Sequence, residues 1–316
     1  MVARDDVVMG YRFLLGREPE NEETVTALSQ LGSLAELRDA FIRSDEFQRS
    51  LHPPESLPAP VDGAALTVEI KVSEPQLRQM MKIIEANWRA LGEAEPYWSV
   101  LIHDQYRLQS FADHEEQFYT TGKDFVSTFQ QTAERSGVAL PRGDCLELGC
   151  GVGRVLVWLA EIFDHVTGVD VSRAHLQRAG ELFEKYGRAN ATFVHLNDFA
   201  ALRALPRFDV FISVIVLQHN PPPLILYMLE VVLDKLRPGG IAYFQVPTYQ
   251  RHYRFGADEY LAQHVTSGRM EMHLLPQPVL FELFRRQGCE LLDIREDGWT
   301  GDHSGVSNSI MLRKSQ

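Results

Sequence analysis

Cysteine is scarce in this chain of 316 residues: there are three, Cys145, Cys150 and Cys289, and no C-x-x-C pair. Neither a disulfide framework nor a zinc knuckle can be built on that spacing. A reducing, cytoplasmic setting fits it. Long apolar runs are lacking as well. The densest, residues 210–217, falls far short of the roughly 20 residues that a membrane-spanning helix requires. The opening Met1-Val2-Ala3-Arg4-Asp5-Asp6 carries an acidic pair where a signal peptide needs its apolar stretch. Excess positive charge is also missing: 31 Lys and Arg against 43 Asp and Glu leave a net charge of -12. An acidic surface repels polyanions, so nucleic acid and anionic membrane are not expected partners. No long internal repeat is visible.

What is present is an ordinary globular composition, 45% hydrophobic and 23% charged, enough for a full core. The length suits about two domains. Residues 1–51 read as a small all-α module. Val7, Val8, Tyr11, Leu14 and Leu15 recur at helical spacing, with Gly16 to close the helix and Pro19 suited to the first turn of the next. Ser33 and Glu36 form a capping box before Leu34, Leu37 and Phe41, and Ser44 is placed to cap a last short helix. Residues 52–66, with four prolines, predict a semi-rigid linker. Val68, Ile70 and Val72 alternate over a short strand, and residues 76–140 read as an aromatic-rich helical cap.

After Asp144 the rhythm becomes strand, turn, helix. Strands are predicted at 145–148, 166–169, 192–196, 208–216, 241–246, 290–295 and 307–312. Strands alternating with helices imply an α/β domain over 67–316 with a mostly parallel sheet. The last two strands are joined by a loop too short for a crossover, so they should pair antiparallel.

The strongest signal is Glu147-Leu148-Gly149-Cys150-Gly151-Val152-Gly153, between a strand and a helix. Glycines there let the backbone turn sharply and approach a ligand. The same triplet also serves dinucleotide sites or simple tight packing. The next strand ends in Asp170, whose carboxylate suits the two hydroxyls of a ribose. One strand further, Asn197 and Asp198 offer an amide and a carboxylate for the edge of an adenine. A nicotinamide site is disfavoured, because its G-x-G-x-x-G fingerprint would need glycine where this chain has Arg154.

The constellation resembles the class I S-adenosylmethionine-dependent methyltransferases, over about residues 110–316. Phe208-Asp209 and Leu236-Arg237-Pro238-Gly239-Gly240 are similar to further motifs of that family. The resemblance implies a Rossmann-like seven-stranded sheet whose last strand is antiparallel. It also implies S-adenosyl-L-methionine as cofactor and S-adenosyl-L-homocysteine as product. The residues implied to hold them are Tyr119, Glu147, Gly149, Cys150, Gly151, Gly153, Asp170, Val171, Asn197, Asp198, Phe199, Val214 and Gln218. Glu147 suits a cationic sulfonium better than a pyrophosphate. His219 follows the fourth strand, where ligands of open sheets bind. Sugar and small-molecule O-methyltransferases of the family often use such a histidine as general base, which is the expected role of His219.

Asn220-Pro221-Pro222-Pro223 is superficially similar to the N-P-P-aromatic motif of adenine N6 methyltransferases, but no aromatic follows. Asn220 as N-cap with Pro221 as first helical residue explains it better. Residues 248–275 form an insertion longer than the usual loop, expected to act as a substrate lid. Tyr249, His252, Tyr253, Glu271, His273 and Trp299 are its candidate acceptor contacts, the last by stacking on a sugar. Asp302 and His303 with Glu271 and His273 lack metal-ligand spacing, so no metal is expected. Residues 11–19 and 41–47 resemble a helical module attached to bacterial surface-glycan enzymes, which implies docking or homo-oligomer formation through residues 1–51. The acceptor expected is a small molecule, a sugar or glycan intermediate methylated on oxygen. Alternatives are N-methylation of a small amine and a non-catalytic scaffold.

Overall fold

The computed structural model describes residues 2–44, 46–47, 65–263, 270–300 and 305–316. The chain divides into two compact units, Met1–Leu57 and Pro58–Gln316. The expected linker at 52–66 lies almost wholly outside the described residues.

In the first unit, α1 (Arg4–Gly10) runs into a π-helical turn, Tyr11–Leu15, and Gly16 closes it in the left-handed region at φ 67°. Helix α2 (Glu22–Ser29) starts at Asn21, whose side chain accepts the Thr24 N–H. Pro19 therefore precedes the helix and is not in its first turn. Ser33 caps α3 (Leu34–Ile42) as expected, but the Glu36 carboxylate takes the N–H of Gly32 and not that of Ser33. Val7, Tyr11, Val25, Leu37 and Phe41 form the core of this unit. Ser44 Oγ accepts the Phe47 N–H at 3.1 Å, the cap expected there.

The second unit begins with β1 (Thr67–Val68), shorter than the predicted alternation. Helix α4 (Glu74–Ala94) opens with a full capping box between Ser73 and Gln76. The helical cap is interrupted: residues 95–114 hold only two single 3-10 turns before α5 (Glu115–Arg135). Then follow β2 (Asp144–Leu148), α6 (Leu156–Leu159), β3 (His165–Asp170), α7 (Arg173–Lys185), β4 (Ala191–His195), α8 (Phe199–Ala204) and β5 (Phe208–Ser213). The chain continues as α9 (Pro222–Lys235), β6 (Leu236–Gln250), β7 (Arg254–Phe255), α10 (Ala257–Gln263), α11 (Gln277–Arg286), β8 (Cys289–Asp297) and β9 (Gly305–Lys314).

Seven strands form one sheet in the order β4-β3-β2-β5-β6-β9-β8. Neighbours from β4 to β6 are parallel, and β9 runs antiparallel to both β6 and β8. This is the Rossmann-like methyltransferase sheet. Strand β5 ends three residues before the predicted 216, and β6 runs beyond both predicted ends. The helix after the glycine turn is a single turn, although Val152, Val155, Leu156, Leu159 and Phe163 are all buried as its pattern requires. One apolar layer unites α4, α8, α9 and α11 with one sheet face. The other unites α5, α6 and α7 with the opposite face.

The insertion is anchored, not free. Its β7 pairs in parallel with β1, and Phe255, Ala257 and Tyr260 pack on Met80 of α4. Ala257 N–H also donates to Glu69 Oε2 at 2.7 Å.

Helix α5 presses on the glycine turn at Gly122, where an added Cβ would overlap the Arg154 carbonyl oxygen. Helix propensity alone favours Gly122→Ala by about 1 kcal/mol. Overpacking opposes it, and we expect a net loss of about 1–3 kcal/mol. Urea unfolding checks this, and an unchanged or raised midpoint would show that α5 is not seated there.

Candidate active site

The sheet order reverses between β2 and its neighbours β3 and β5, and ligands of open α/β sheets bind beyond the strand ends at such a point. A cavity of about 810 Å³, open mouth included, lies there. Met81, Ile84 and Trp88 of α4, with Ser99 and Val100, form one wall. The glycine turn, Asp170-Val171 and residues 214–216 form another.

Two left-handed glycines make the turn. Gly149 has φ 73° and Gly151 φ 52°. A Cβ on Gly149 would overlap the Val216 side chain, and one on Gly151 would come within 2.9 Å of Val100. The turn is tied to the next strand: Gly149 and Cys150 N–H donate to the Val169 carbonyl at 2.7 and 3.1 Å. Asp170 Oδ2 accepts the Gly151 N–H at 2.9 Å, and its Oδ1 accepts the Ser172 N–H at 2.8 Å.

Two groups of opposite ionisation are buried in this wall, Glu147 and Arg154. Glu147 Oε2 and Arg154 Nε have no hydrogen-bond partner among the described residues. Arg154 Nη1 donates to Thr121 Oγ1 at 3.1 Å. Burial pushes the Glu147 carboxyl up to about 8, with Arg154 pulling it down and Asp170 pushing it further up. Burial brings the Arg154 guanidinium down to about 10, opposed by Glu147.

Of the residues expected at the cofactor, Glu147, Gly149, Cys150, Gly151, Asp170, Val171 and Val214 line this cavity. Others do not. Gly153 (φ 81°) packs against Ala179 behind the turn. Asn197 and Asp198 are exposed, and Asp198 Oδ1 caps α8 by accepting the Ala201 N–H at 2.7 Å. Phe199 is buried against Tyr227. Tyr119 sits among Phe111, Phe118 and Tyr186, with its carbonyl accepting from Trp158 Nε1. Gly153, Asp198, Phe199 and Tyr119 thus serve packing or capping.

His219 is 4% exposed and does not line the cavity. Its Nδ1 lies 2.8 Å from the Glu271 carbonyl, which makes Nδ1 the protonated nitrogen. Nε2 faces the Gln218 amide nitrogen at 3.2 Å and accepts from it. Burial pushes the imidazole down to about 4, and only the Glu271 carbonyl works against this. Both nitrogens of the expected base are therefore engaged. Gln218 is buried in the same chain, its Oε1 accepting from Gln245 Nε2 at 2.9 Å. Asn220 does not cap α9, which starts at Pro222; its Nδ2 donates to the Val216 carbonyl at 2.8 Å.

The acceptor candidates separate. Tyr249 and His273 line a second hollow of about 310 Å³. Tyr253 Oη is 2.7 Å from His273 Nδ1, and His273 Nε2 is 3.2 Å from Glu271 Oε2. His252 is exposed on a turn at φ 63°. Trp299 packs near Phe125 in the core, not on a cavity. Asp302 and His303 lie outside the described residues; among the described ones no group of three His, Cys, Asp or Glu is placed to hold a metal. The sequence reading missed Trp88, Ser99, Arg154, His175, Ile215 and Met228, all in the cavity wall. Only Arg154 carried a signal, as the residue displacing a third spaced glycine.

Residues 145–240 match the family profile of a methyltransferase domain. That segment carries the methyltransferase domain which the profile describes. A ubiquinone biosynthesis O-methyltransferase of Aromatoleum aromaticum (strain DSM 19018 / LMG 30748 / EbN1) is 28% identical over 159 residues, 48% of this chain. The match spans 65% of that relative's length. Among solved structures, magnesium protoporphyrin IX methyltransferase from Synechocystis PCC 6803 with bound S-adenosylhomocysteine superposes with a TM-score of 0.52 at 16% identity. That alignment covers 75% of this chain and 100% of the other. The same enzyme with S-adenosylmethionine gives 0.51 at 15% identity, over 78% and 100%. These likenesses show the fold.

The residues present fit the cofactor. The glycine cradle has no room for Cβ atoms, and Glu147 Oε2 and Arg154 Nε are buried without partners. An amino-acid ammonium and carboxylate match those two atoms, and Asp170 keeps lone pairs for ribose hydroxyls. Bound there, S-adenosylmethionine supplies an electrophilic sulfonium methyl.

The Glu147 carboxyl binds a proton more tightly folded than unfolded. Stability contributed by that proton is thus lost as pH rises from about 4.5 towards about 8. Glu147→Gln removes the loss, so the ligand-free variant should melt above the parent at pH 8 and close to it at pH 5. A ligand ammonium beside it favours ionised Glu147, so S-adenosylhomocysteine should bind the parent with proton release at pH 7. Calorimetry in buffers of different ionisation enthalpy measures that release. Equal melting at both pH values with no proton released would refute the burial argument.

Proposed function

We propose that the protein transfers a methyl group from S-adenosylmethionine to an oxygen of a small polar acceptor, a sugar or glycan intermediate. The observation that carries the transfer is the single cavity joining Glu147, the glycine turn and Asp170 at the strand ends. The oxygen acceptor is supported by the partial likeness to an O-methyltransferase. The sugar is supported by the aromatic, polar insertion with Tyr249, Tyr253, Glu271 and His273, and by the glycan-type module of residues 1–51. That module is proposed to dock a partner or a second copy. No helix among the described residues is long and apolar enough to cross a membrane, and the three cysteines are free. We place the reaction in the cytoplasm.

In this reading the rate rests on holding nucleophile, methyl and sulfur in line, which is worth far more than one proton transfer. Trp88, Val100 and Ile215 exclude water from that line. His219 supports the loop at the end of β5, since taking the acceptor's proton would require release of Gln218 from Nε2.

Thermal unfolding with S-adenosylhomocysteine tests the cofactor, with NADH as control. At 100 times its dissociation constant a ligand adds about 2.7 kcal/mol, roughly 5–10 °C here. No shift would leave a scaffold. For the catalytic step, His219→Asn keeps a donor for the Glu271 carbonyl and should retain kcat within about tenfold. A general base lost in the same variant costs about 10²–10⁴-fold and flattens the acid limb of the pH profile; that result would restore His219 as the base.

A further inference from the structure

Ser99 and His175 stand in the cavity wall without a part in the scheme above. Both are buried, at 3% and 1% exposure. They come from distant stretches of chain: Ser99 follows α4, and His175 lies in the first turn of α7. The two stretches are pressed together. Gly92 of α4 has no room for a side chain, because a Cβ there would overlap Ser172 Oγ and come within 3.1 Å of His175 Nε2.

The polar atoms line up. Ser99 Oγ is 3.0 Å from His175 Nε2, and His175 Nδ1 is 3.6 Å from Asp170 Oδ1. Ser99 Oγ is also 3.1 Å from the Pro96 carbonyl. A hydroxyl has one proton, so Ser99 donates either to Pro96 or to His175. The second choice leaves the imidazole proton on Nδ1, facing the carboxylate. The 3.6 Å gap is longer than a hydrogen bond and closes with a small movement. Val100, next in the chain, covers Gly151.

We propose that Ser99 and His175 form a latch between Asp170 and the 95–100 segment, which reads the vicinal diol of a nucleoside ligand. This rests on the cofactor reading above. His175 is a positioning residue: its Nδ1–H orients Oδ1, and the one lone pair left on the carboxylate accepts from a hydroxyl of the diol. The ring then accepts a hydrogen bond from the Ser99 hydroxyl at Nε2, which holds residues 95–100 with Val100 over the glycine turn. Closing the segment and binding the diol favour each other equally, as linkage requires.

The test is calorimetric titration of S-adenosylhomocysteine into the full chain, the parent, Ser99→Ala, His175→Asn and the double variant. Amide exchange of residues 95–108 is followed with and without the ligand. Each single variant should weaken binding about fivefold or more. The double variant should be no weaker than His175→Asn, because one contact is removed twice. Ligand should slow exchange of 95–100 in the parent but not in Ser99→Ala, a small substitution that keeps the fold if His175→Asn does not. Additive losses, or full protection in Ser99→Ala, overturn the latch and leave the cofactor site standing. A parent that does not bind the ligand at all overturns the cofactor reading, and the latch with it.

Discussion

The carboxylate of Asp170 holds the site together. It receives the Gly151 N–H from the end of β2 and the Ser172 N–H from the end of β3, one on each oxygen. Hydrogen bonds to an ionised acceptor are roughly twice as strong as neutral ones. One side chain thereby fixes two adjacent strand ends. The turn can meet it only in the left-handed conformation of Gly149 and Gly151. The cavity is consequently shaped before any ligand enters, which lowers the entropy lost on binding.

The parts of this arrangement that are local in the chain were legible in the sequence. Strand and helix periods, the glycine spacing and the acid ending β3 all report on neighbours a few residues away. The antiparallel final pair followed from loop length alone. The opposite wall was not legible, because Trp88, Ser99 and Val100 arrive from about fifty residues upstream with no motif. Asp198 shows a different failure. An acid just before a helix is equally a ligand contact or an N-cap, and in the fold it caps α8. Tyr119 is expected at the cofactor by the family resemblance and Trp299 at a sugar by stacking, yet each packs in or against the apolar layer beside it. The insertion was found by length, but its anchoring on Met80 depends on pairing between β1 and β7, 187 positions apart in register.

His219, expected as the general base, has both ring nitrogens engaged by partners from elsewhere in the fold. Glu271, 52 residues further on, turns the ring so that Nδ1 donates to its carbonyl. Polarity then runs one way through buried amides. Gln218 donates to Nε2, Gln245 donates to Gln218 and to Ser307, and Gln245 Oε1 accepts the Ile215 N–H at 3.0 Å. Each of these amide and imidazole nitrogens has a partner, as buried polar groups require. Its last member matters most. Ile215 is a β-branched residue at φ 59°, a conformation that costs about 1–3 kcal/mol. It lies in the cavity wall, and the Gln245 carbonyl oxygen holds its N–H. The network thus joins the insertion to a strained residue beside the reacting line, a positioning role in which no proton is moved.

The buried charges complete the physical picture. Glu147 and Arg154 are close enough to shift each other's proton affinity, yet each keeps one atom without a partner. A fully paired salt bridge would stabilise the empty protein and leave nothing for a ligand to satisfy. Two apolar residues in their place would do the same. Left without partners, Glu147 Oε2 and Arg154 Nε offer a ligand one acceptor and one donor to satisfy. A ligand with an ammonium and a carboxylate on the same carbon supplies both at once. Its binding then gains most where water is excluded and the local dielectric is low. The instability of the empty wall and the selectivity of the filled one are the same electrostatic fact.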